Sequence, residues 1–430
     1  MLGAKVGNNT IIKVIAINLA FLIFAVGAAE MIAMQMEGKD DEENIVITAQ
    51  DDELGWTAKK NFKFKHKTSE FSVLYWSNEL GIHDEPIGDT PDTSKLRILA
   101  LGDSHTAATG VSTDKTWPNV LERMLFEDVE AGTVYNSGIG GYSVGQELMM
   151  ARRLIPLVKP QIVILGFSIA TDFFDVAPPG RAGFTYGAGI GRVYFDLDPN
   201  GKLIEKRDMI GKEVGQATAS QTNNITTLSR IKSALGYFAL YRLLKRSKMA
   251  MWVATNFSFG DESLWPGLDT ALKKKPSVDD QFRIDLATQI LIQLADEVRA
   301  AGAVPVLVQI PYVAQVYDSV WDVSFGSQPD KYIRDGGTQK LSQIAKKAKM
   351  HFVDTTQVFI EKGGATDYAY HHKLDAHPND EGQQVIAETV AASLQSLNLL
   401  KPQTPEAPDA QSGPKEQPEA PRPSESGKSE

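Results

Sequence analysis

The chain has 430 residues, no cysteine, a net charge of −10 and 42% hydrophobic residues. This composition is typical of a folded protein with a sizeable core, and the absence of cysteine excludes disulfides and thiolate metal sites. The acidic balance, with no Lys/Arg-rich stripe, disfavours a nucleic-acid partner.

An apolar run at residues 14–29 follows Lys5 and Lys13 and precedes an acidic stretch at residues 37–43. With Glu30 at the outer interface, the run extends to residue 34 and reaches the length of about 20 residues that a membrane-spanning helix needs. Lysines before the run and acids after it predict a cytoplasmic N-terminus and a membrane anchor within residues 1–36. A signal peptide cleaved near residues 27–29 is the alternative, and either would export the rest of the chain. A buried core helix is the third interpretation.

Residues 37–95 are polar with scattered aromatic side chains, and residues 62–65 alternate as a strand does. This region predicts a small extended N-terminal subdomain.

From residue 96 onward, short apolar runs alternate with amphipathic segments. Strands are predicted at residues 96–101, 134–136, 161–167, 304–310 and 351–353, and helices from 116 and at 146–158, 281–301, 336–349 and 380–397. This alternation predicts an α/β domain over residues 96–400 with a doubly wound parallel sheet of about five strands.

Two further regions interrupt or follow this domain. Residues 178–280, between the third and fourth strands, are too long for a structureless loop and predict a partly folded cap, with a strand at 191–197 and a basic helix at 237–251. Residues 401–430 are rich in Pro, Glu and Ser and poor in large apolar residues, so a disordered tail is expected.

A candidate nucleophile lies where the first of these strands ends. The run 96–101 breaks into Gly102, Asp103 and Ser104, and open α/β sheets bind ligands at the carboxyl ends of their strands. A serine held there can expose its hydroxyl and keep its backbone N–H free. The same tripeptide is also ordinary turn chemistry.

A candidate base precedes the last helix. His377 lies at the same end of the predicted sheet as Ser104, and Asp375 could hold the second nitrogen of its imidazole. Alone, the segment favours a helix cap over a catalytic site. The combination with Ser104 favours catalysis.

The glycine-rich loop at residues 136–142 could bring a backbone N–H to a developing oxyanion, or could simply form a tight turn. It overlaps a rival motif, because residues 141–145 match G-x-S-x-G with Ser143 as nucleophile. That motif requires a strand running directly into the serine, and five loop residues intervene here.

Other polar pairs predict no metal centre and no cofactor. His371 and His372 are adjacent, so both cannot face one metal, and they are expected to be surface or loop residues. Asp172 and Asp175 could form a carboxylate pair, but loop solvation or helix capping is favoured.

Four segments in order resemble the motif blocks of the SGNH (GDSL-type) hydrolases, of the membrane-anchored bacterial kind: residues 101–110, 136–147, 165–175 and 375–382, with upstream likenesses at 52–56 and 78–81. The resemblance implies the flavodoxin-like sheet of that superfamily. It also implies Ser104 as nucleophile, His377 as base, Asp375 as the third member, and the N–H groups of Ser104 and Gly141 as oxyanion donors.

The chain departs from the family pattern at three positions. His105 replaces the usual leucine after Ser104, and Asp375 lies two rather than three residues before His377. Thr171 occupies the position of the usual asparagine, which makes it the third expected oxyanion residue.

The resemblance implies an exported esterase or deacylase, tethered to the inner membrane by its N-terminal helix. Its substrate would be a small ester or an acylated carbohydrate of the envelope or an extracellular polysaccharide. An O-acyltransferase and a non-catalytic polysaccharide-binding or scaffold protein are the alternatives. The C-terminal tail is a candidate contact for an envelope protein partner.

Overall fold

The computed structural model describes residues 25–29, 31–32, 47–68, 70–87, 92, 94–126, 132–178, 191–211, 266–363, 368–373 and 375–400. Most of the apolar run, the predicted basic helix at 237–251 and the tail at 401–430 lie outside these ranges. Among the described helices, none has the length and apolarity needed to cross a bilayer.

Eleven strands are described. They are β1 (Thr48–Asp51), β2 (Gly55–Ala58), β3 (Phe62–Lys67), β4 (Ser72–Ser77), β5 (Leu96–Gly102), β6 (Gly132–Asn136), β7 (Ile162–Ser168), β8 (Tyr194–Leu197), β9 (Leu203–Lys206), β10 (Val304–Ile310) and β11 (His351–Asp354). The central sheet has the order β6-β5-β7-β10-β11, and every neighbouring pair is parallel. This is the flavodoxin-like order, so the predicted fold class is confirmed.

The strands of the central sheet are those that the sequence predicts, with ends moved by at most two residues. All seven residues of β7 are buried, and only the last of them has a polar side chain, as expected of a parallel strand that helices cover on both faces. The carboxyl ends of β5, β6 and β7 therefore meet at one edge, where the loops carrying polar residues begin.

Helices cover both faces of this sheet. The described helices are α1 (Ser104–Ala107), α2 (Trp117–Leu125), α3 (Val144–Val158), α4 (Asp172–Asp175), α5 (Pro266–Leu272), α6 (Val278–Ala300), α7 (Val313–Val316), α8 (Asp318–Ser324), α9 (Gly336–Ala348), α10 (Thr356–Gly363) and α11 (Asp380–Ser396). Helix α2 packs against α11, whereas α6 packs against both α3 and α9. This arrangement is that of a doubly wound domain.

Helix α11 begins where its sequence provides a cap. The Asn379 side chain accepts the N–H of Gly382 at 3.0 Å, and Asp380 and Glu381 place negative charge in the first turn. Both features stabilise a helix start. The cap fixes the end of the loop that carries His377.

Three antiparallel hairpins surround the sheet: β1 with β2, β3 with β4, and β8 with β9. The first pair is not separate from the main core, since Leu54, Trp56 and Ala58 belong to the same buried cluster as β5 and β7. The β8–β9 hairpin lies in the predicted insertion, where β8 begins three residues after the expected start of the strand at 191 and pairs with a strand that the sequence did not predict.

Candidate active site

Ser104 lies at the turn from β5 into α1, with its side chain half-buried. The turn requires glycine before it, because a Cβ on Gly102 would lie 2.1 Å from Oγ1 of Thr106. The Asp103 carboxylate caps α1 by accepting the N–H of His105 at 2.8 Å. A tight turn and a cap thus hold the serine at the carboxyl edge of the sheet.

His377 lies against Ser104, although 273 positions separate them in the chain. The Nε2 of His377 is 2.8 Å from the Oγ of Ser104, and its Nδ1 hydrogen bonds to the Asp375 carboxylate. Burial alone would raise the pKa of Asp375, but the hydrogen bond and charge of His377 outweigh it and hold that pKa below its ordinary value. The structure therefore brings the three predicted catalytic side chains together in the order serine, histidine, carboxylate.

A strained loop makes this contact possible. Ala376, between the acid and the histidine, has a φ of 66°, a left-handed conformation that residues other than glycine rarely adopt. The loop is held by the N–H of His372, which donates to the carbonyl of His377 at 2.9 Å. With the chain bent in this way, Asp375 reaches the imidazole from two positions away.

The glycine-rich loop runs beside the nucleophile turn. The N–H of Ile139 donates to the carbonyl of Gly102 at 3.0 Å, and Trp56 of β2 donates from Nε1 to the carbonyl of Gly140 at 3.2 Å. Gly141 has a φ of +78°. Within the described ranges, the N–H groups of Ser104 and Gly141 donate no hydrogen bond, as expected of groups reserved for a substrate oxygen.

The structure directs the hydroxyl of Thr171 elsewhere. Its Oγ1 donates to Oδ2 of Asp103 at 2.7 Å, and a hydroxyl has one proton to donate. In this conformation it offers no proton to a substrate oxyanion. The role of Thr171 as a third oxyanion donor stays a prediction that requires its side chain to rotate.

His105, noted above only as a departure from the family pattern, packs directly against the predicted base. The ring centroids of His105 and His377 are 4.5 Å apart. The Nδ1 of His105 is 3.1 Å from the Asp103 carboxylate, and its Nε2 is 3.4 Å from Oγ of Ser168. Burial would raise the pKa of Asp103, but the charge of His105 and the hydrogen bonds from His105 and Thr171 lower it below its ordinary value.

Buried acids lie behind this turn. The expectation of loop solvation for Asp172 and Asp175 is wrong, because both are buried, and the N-cap of α4 is Thr171 and not either acid. Asp172 accepts the N–H of Ser168 at 2.7 Å. Burial, together with the charges of Glu147 and Asp103, raises the pKa of Asp172 well above its ordinary value. Burial and the charge of Asp103 raise the pKa of Glu147 likewise.

The rival nucleophile Ser143 is buried at the start of α3. It forms the N-cap of that helix, and its N–H donates to Oε1 of Gln146 at 3.3 Å. In the described part of the chain no histidine hydrogen bonds to Ser143. This geometry favours a capping role for Ser143.

His371 and His372 lie in the loop between α10 and α11, as one of the two expectations has it, but they are buried and not at the surface. The Nδ1 of His371 is 2.9 Å from the hydroxyl of Tyr317, and burial lowers the pKa of His371 to about 3. His371 is therefore a neutral core residue. No group of three or more metal-ligating side chains occurs among the described residues.

Two residues that hold the glycine-rich loop are not marked by any motif in the sequence. Trp56 approaches it from β2, and Arg192 donates from Nη1 to the carbonyl of Gly141 at 2.9 Å. Both contacts join segments more than 50 residues apart. Local patterns carry no signal of such pairings.

No family model matches the chain. One curated relative, an arylesterase from Vibrio mimicus, is 31% identical over 83 residues, which are 19% of this chain and 41% of the relative. The chain thus spans about two fifths of the length of this relative.

The solved structures to which the chain shows some similarity include several esterases. An esterase, EstA, from a Pseudoalteromonas species has a TM-score of 0.34 and 14% identity, over 70% of this chain and 98% of its own. A GDSL-like lipase from Bacteroides thetaiotaomicron has a TM-score of 0.32 and 12% identity, over 72% and 92%. An acetyl-xylooligosaccharide esterase from Geobacillus has a TM-score of 0.35 and 14% identity, over 70% and 94%.

The strand order β6-β5-β7-β10-β11 is that of a doubly wound α/β protein. The short match to a curated arylesterase agrees with the resemblance to the SGNH (GDSL-type) hydrolases that the ordered motif blocks predict.

Proposed function

We propose that this protein is an exported serine esterase that removes O-acyl groups through an acyl-serine intermediate. The observation that carries the proposal is the 2.8 Å contact between Nε2 of His377 and Oγ of Ser104, with Asp375 on the other ring nitrogen. A hydroxyl hydrogen bonded to an imidazole that a carboxylate orients is the arrangement that activates serine.

In the first half-reaction, Oγ of Ser104 bonds to the ester carbonyl carbon while its proton passes to Nε2 of His377. The N–H groups of Ser104 and Gly141 stabilise the oxygen that becomes negative. The intermediate collapses by breaking the bond to the alcohol oxygen, which takes the proton from His377. The acyl group remains on Ser104.

In the second half-reaction, a water molecule gives a proton to His377 as its oxygen bonds to the acyl carbon. Ser104 then leaves and recovers that proton, which releases the carboxylic acid. A sugar hydroxyl in place of water would make the same chemistry a transfer. Asp375 holds the imidazole in the tautomer that presents Nε2 to the serine.

The substrate class follows from analogy rather than from a residue. One structural neighbour is by name an acetyl-xylooligosaccharide esterase, and an acylated carbohydrate of the envelope or of an extracellular polysaccharide is the substrate we propose. The apolar run flanked by lysines and acids supports an inner-membrane anchor with the catalytic domain outside the cytoplasm. When protease is added to intact spheroplasts, digestion of the catalytic domain would support that location. Protection of the domain from the protease would contradict it.

The test of activity uses the full-length protein in detergent, a nitrophenyl acetate ester and a fluorophosphonate probe. Wild type should release nitrophenol and carry one covalent label on Ser104. Ser104→Ala should lose both, because no other hydroxyl in the described structure contacts His377. Ser143→Ala is the matched control and should keep both.

Two results would contradict parts of this proposal. Turnover that survives in Ser104→Ala would contradict the assignment of the nucleophile. Wild type with neither label nor turnover would favour a non-catalytic, polysaccharide-binding protein.

A further inference from the structure

We propose that Arg192 is a positioning residue of the oxyanion site, supplied by the insertion between β7 and β10; this inference rests on the proposed esterase function. None of the motif blocks contains Arg192, which precedes β8 by two residues. Its assignment would make the insertion a working part of the active site rather than a cap beside it.

Arg192 bridges the two loops that carry the predicted oxyanion residues. Its Nη1 donates to the carbonyl of Gly141 at 2.9 Å, and its Nη2 donates to the carbonyl of Asp175 at 2.9 Å. The first loop contains the proposed donor Gly141, and the second is the α4 turn that follows Thr171. One rigid guanidinium therefore fixes the spacing of both loops.

Arg192 is fully buried, and such a charge is costly unless it is well paired. Beyond its two carbonyl bonds, it lies 3.4 Å from Oδ1 of Asp175 and 5.2 Å from the ring centre of Tyr194. Burial raises the pKa of Asp175 to about 6 in spite of the opposing charge of Arg192. The ion pair with Asp175 therefore does not by itself explain why a guanidinium is buried here. The two hydrogen bonds to backbone carbonyls explain it as a residue that positions the two loops.

Gly141 needs such support. A residue at a φ of +78° with no side chain is free to leave that conformation. Trp56 holds the loop from one side through the carbonyl of Gly140, and Arg192 holds it through the next carbonyl. With both carbonyls tied, the N–H of Gly141 keeps one direction before substrate arrives, which is the condition for oxyanion stabilisation.

The Thr171 contact makes this support more important. Because the Thr171 hydroxyl donates to Asp103, the two backbone N–H groups are the remaining predicted donors. A shift of Gly141 would then remove one of two donors. The loss should appear in the transition state and not in ground-state binding.

The test compares Arg192→Lys and Arg192→Met in the full-length protein with the control Arg152→Met. Arg152 also ties the insertion hairpin to the core, through Glu205 of β9 and Glu297 of α6, but it contacts neither oxyanion loop. Each variant is measured for kcat and KM with nitrophenyl acetate and for inhibition by an alkyl boronic acid, which forms a tetrahedral adduct on serine.

Loss of a complete oxyanion donor costs about 10²–10³-fold in kcat. A displaced donor should cost less, so we expect Arg192→Met to lower kcat by about 10–100-fold, with KM changed by less than about 3-fold. Boronate affinity should fall in parallel with kcat. Arg192→Lys, which keeps the charge but not the fork, should be intermediate, and Arg152→Met should keep kcat within about 2-fold.

Full kcat in a folded Arg192→Met, or a fall in kcat with unchanged boronate affinity, would overturn the inference while leaving the esterase proposal intact. If Arg192→Met does not fold, Arg192→Lys carries the test, and failure of both to fold would assign Arg192 to stability alone. Absence of turnover and of Ser104 labelling in wild type is the separate result that defeats the proposed function, and the inference falls with it.

Discussion

At the level of single residues, the site is described by the hydrogen-bond partners of its two histidines. His377 stands between the Ser104 hydroxyl and the Asp375 carboxylate, whereas His105 stands between Asp103 and Ser168. The two rings are in contact, but Ser168 is buried and Ser104 is half-buried. Access to substrate thus distinguishes the proposed catalytic set from its buried neighbour.

We expect Asp375→Asn to lower kcat by about 10²–10⁴-fold, because an amide cannot stabilise the imidazolium and favours the wrong tautomer. Labelling of Ser104 by fluorophosphonate should slow in proportion. The control is Asp380→Asn, five positions after Asp375, which removes an exposed ion pair with Lys115. It should leave both rates unchanged. An equal loss in both variants would mean that Asp375 acts only on folding.

At the scale of elements, turns and hairpins set where these residues point. The nucleophile turn depends on β5 and α1, the glycine-rich loop on the end of β6 and the start of α3, and the His377 loop on the cap of α11. Each of these elements follows a local sequence pattern. Their mutual approach does not, since it depends on the order of the strands in the sheet.

In the loop that carries His377, Ala376 has a left-handed backbone conformation, which is unfavourable for alanine. The left-handed conformation of Ala376 costs about 1–2 kcal/mol in a residue other than glycine, which the greater freedom of glycine in the unfolded chain partly offsets. We expect Ala376→Gly to raise the free energy of unfolding by up to about 1 kcal/mol in urea denaturation. Ala392→Gly, at an exposed position inside α11, should lower it by about 1 kcal/mol. Destabilisation by Ala376→Gly would show that the loop stores no strain.

The end of β1 is tied to α3 by Asp51 and Arg153, at 2.7 Å. Burial would raise the pKa of Asp51, but hydrogen bonds from Arg153, Leu54 and Glu53 lower it to about 2 from 3.8. A carboxyl with a lowered pKa stabilises the fold above its unfolded pKa and loses that contribution as pH falls towards its folded pKa.

Wild type should therefore be more stable than Asp51→Asn at neutral pH, and the difference should shrink between about pH 4 and pH 2. Urea denaturation across this range measures it. A difference that stays constant with pH would show that the ion pair is not its cause.

For the molecule as a whole, the β1–β2 hairpin and the insertion hairpin share one buried core with the central sheet. Leu54, Trp56 and Ile82 lie in the same buried cluster as β5, β7 and β10. Trp56 also reaches the glycine-rich loop. The predicted division at residue 95 therefore marks a change of sequence character within a shared core.

A shared core should unfold in one cooperative transition. We expect calorimetry of the full-length protein to give a single peak for this unit, and a chain beginning at residue 92 to lose the native transition because it exposes the surface that Leu54 and Trp56 cover. A second, independent peak, or a stable chain lacking residues 1–91, would show that the hairpins form a domain of their own.

Much of the site could be predicted because turn chemistry and hydrophobic periodicity are local. They placed the ends of β5, β6 and β7, and hence Ser104, at one edge of the sheet, whereas the oxyanion roles of Gly141 and Thr171 were implied by the resemblance to the SGNH hydrolases. The prediction of solvent exposure failed for Asp172, Asp175, His371 and His372. Polar residues near loops were expected in solvent, but segments distant in sequence cover them here.

Local sequence patterns were enough to predict the succession of strands and helices, the α/β fold class that this succession implies, and the residue types needed for acyl transfer. The hydrogen-bond partner of each side chain became visible only in the folded molecule. The Thr171 hydroxyl points to Asp103, His105 packs on His377, and Arg192 reaches Gly141. Such contacts depend on the packing of segments that lie tens to hundreds of residues apart. A local sequence pattern does not indicate which of these segments will come into contact.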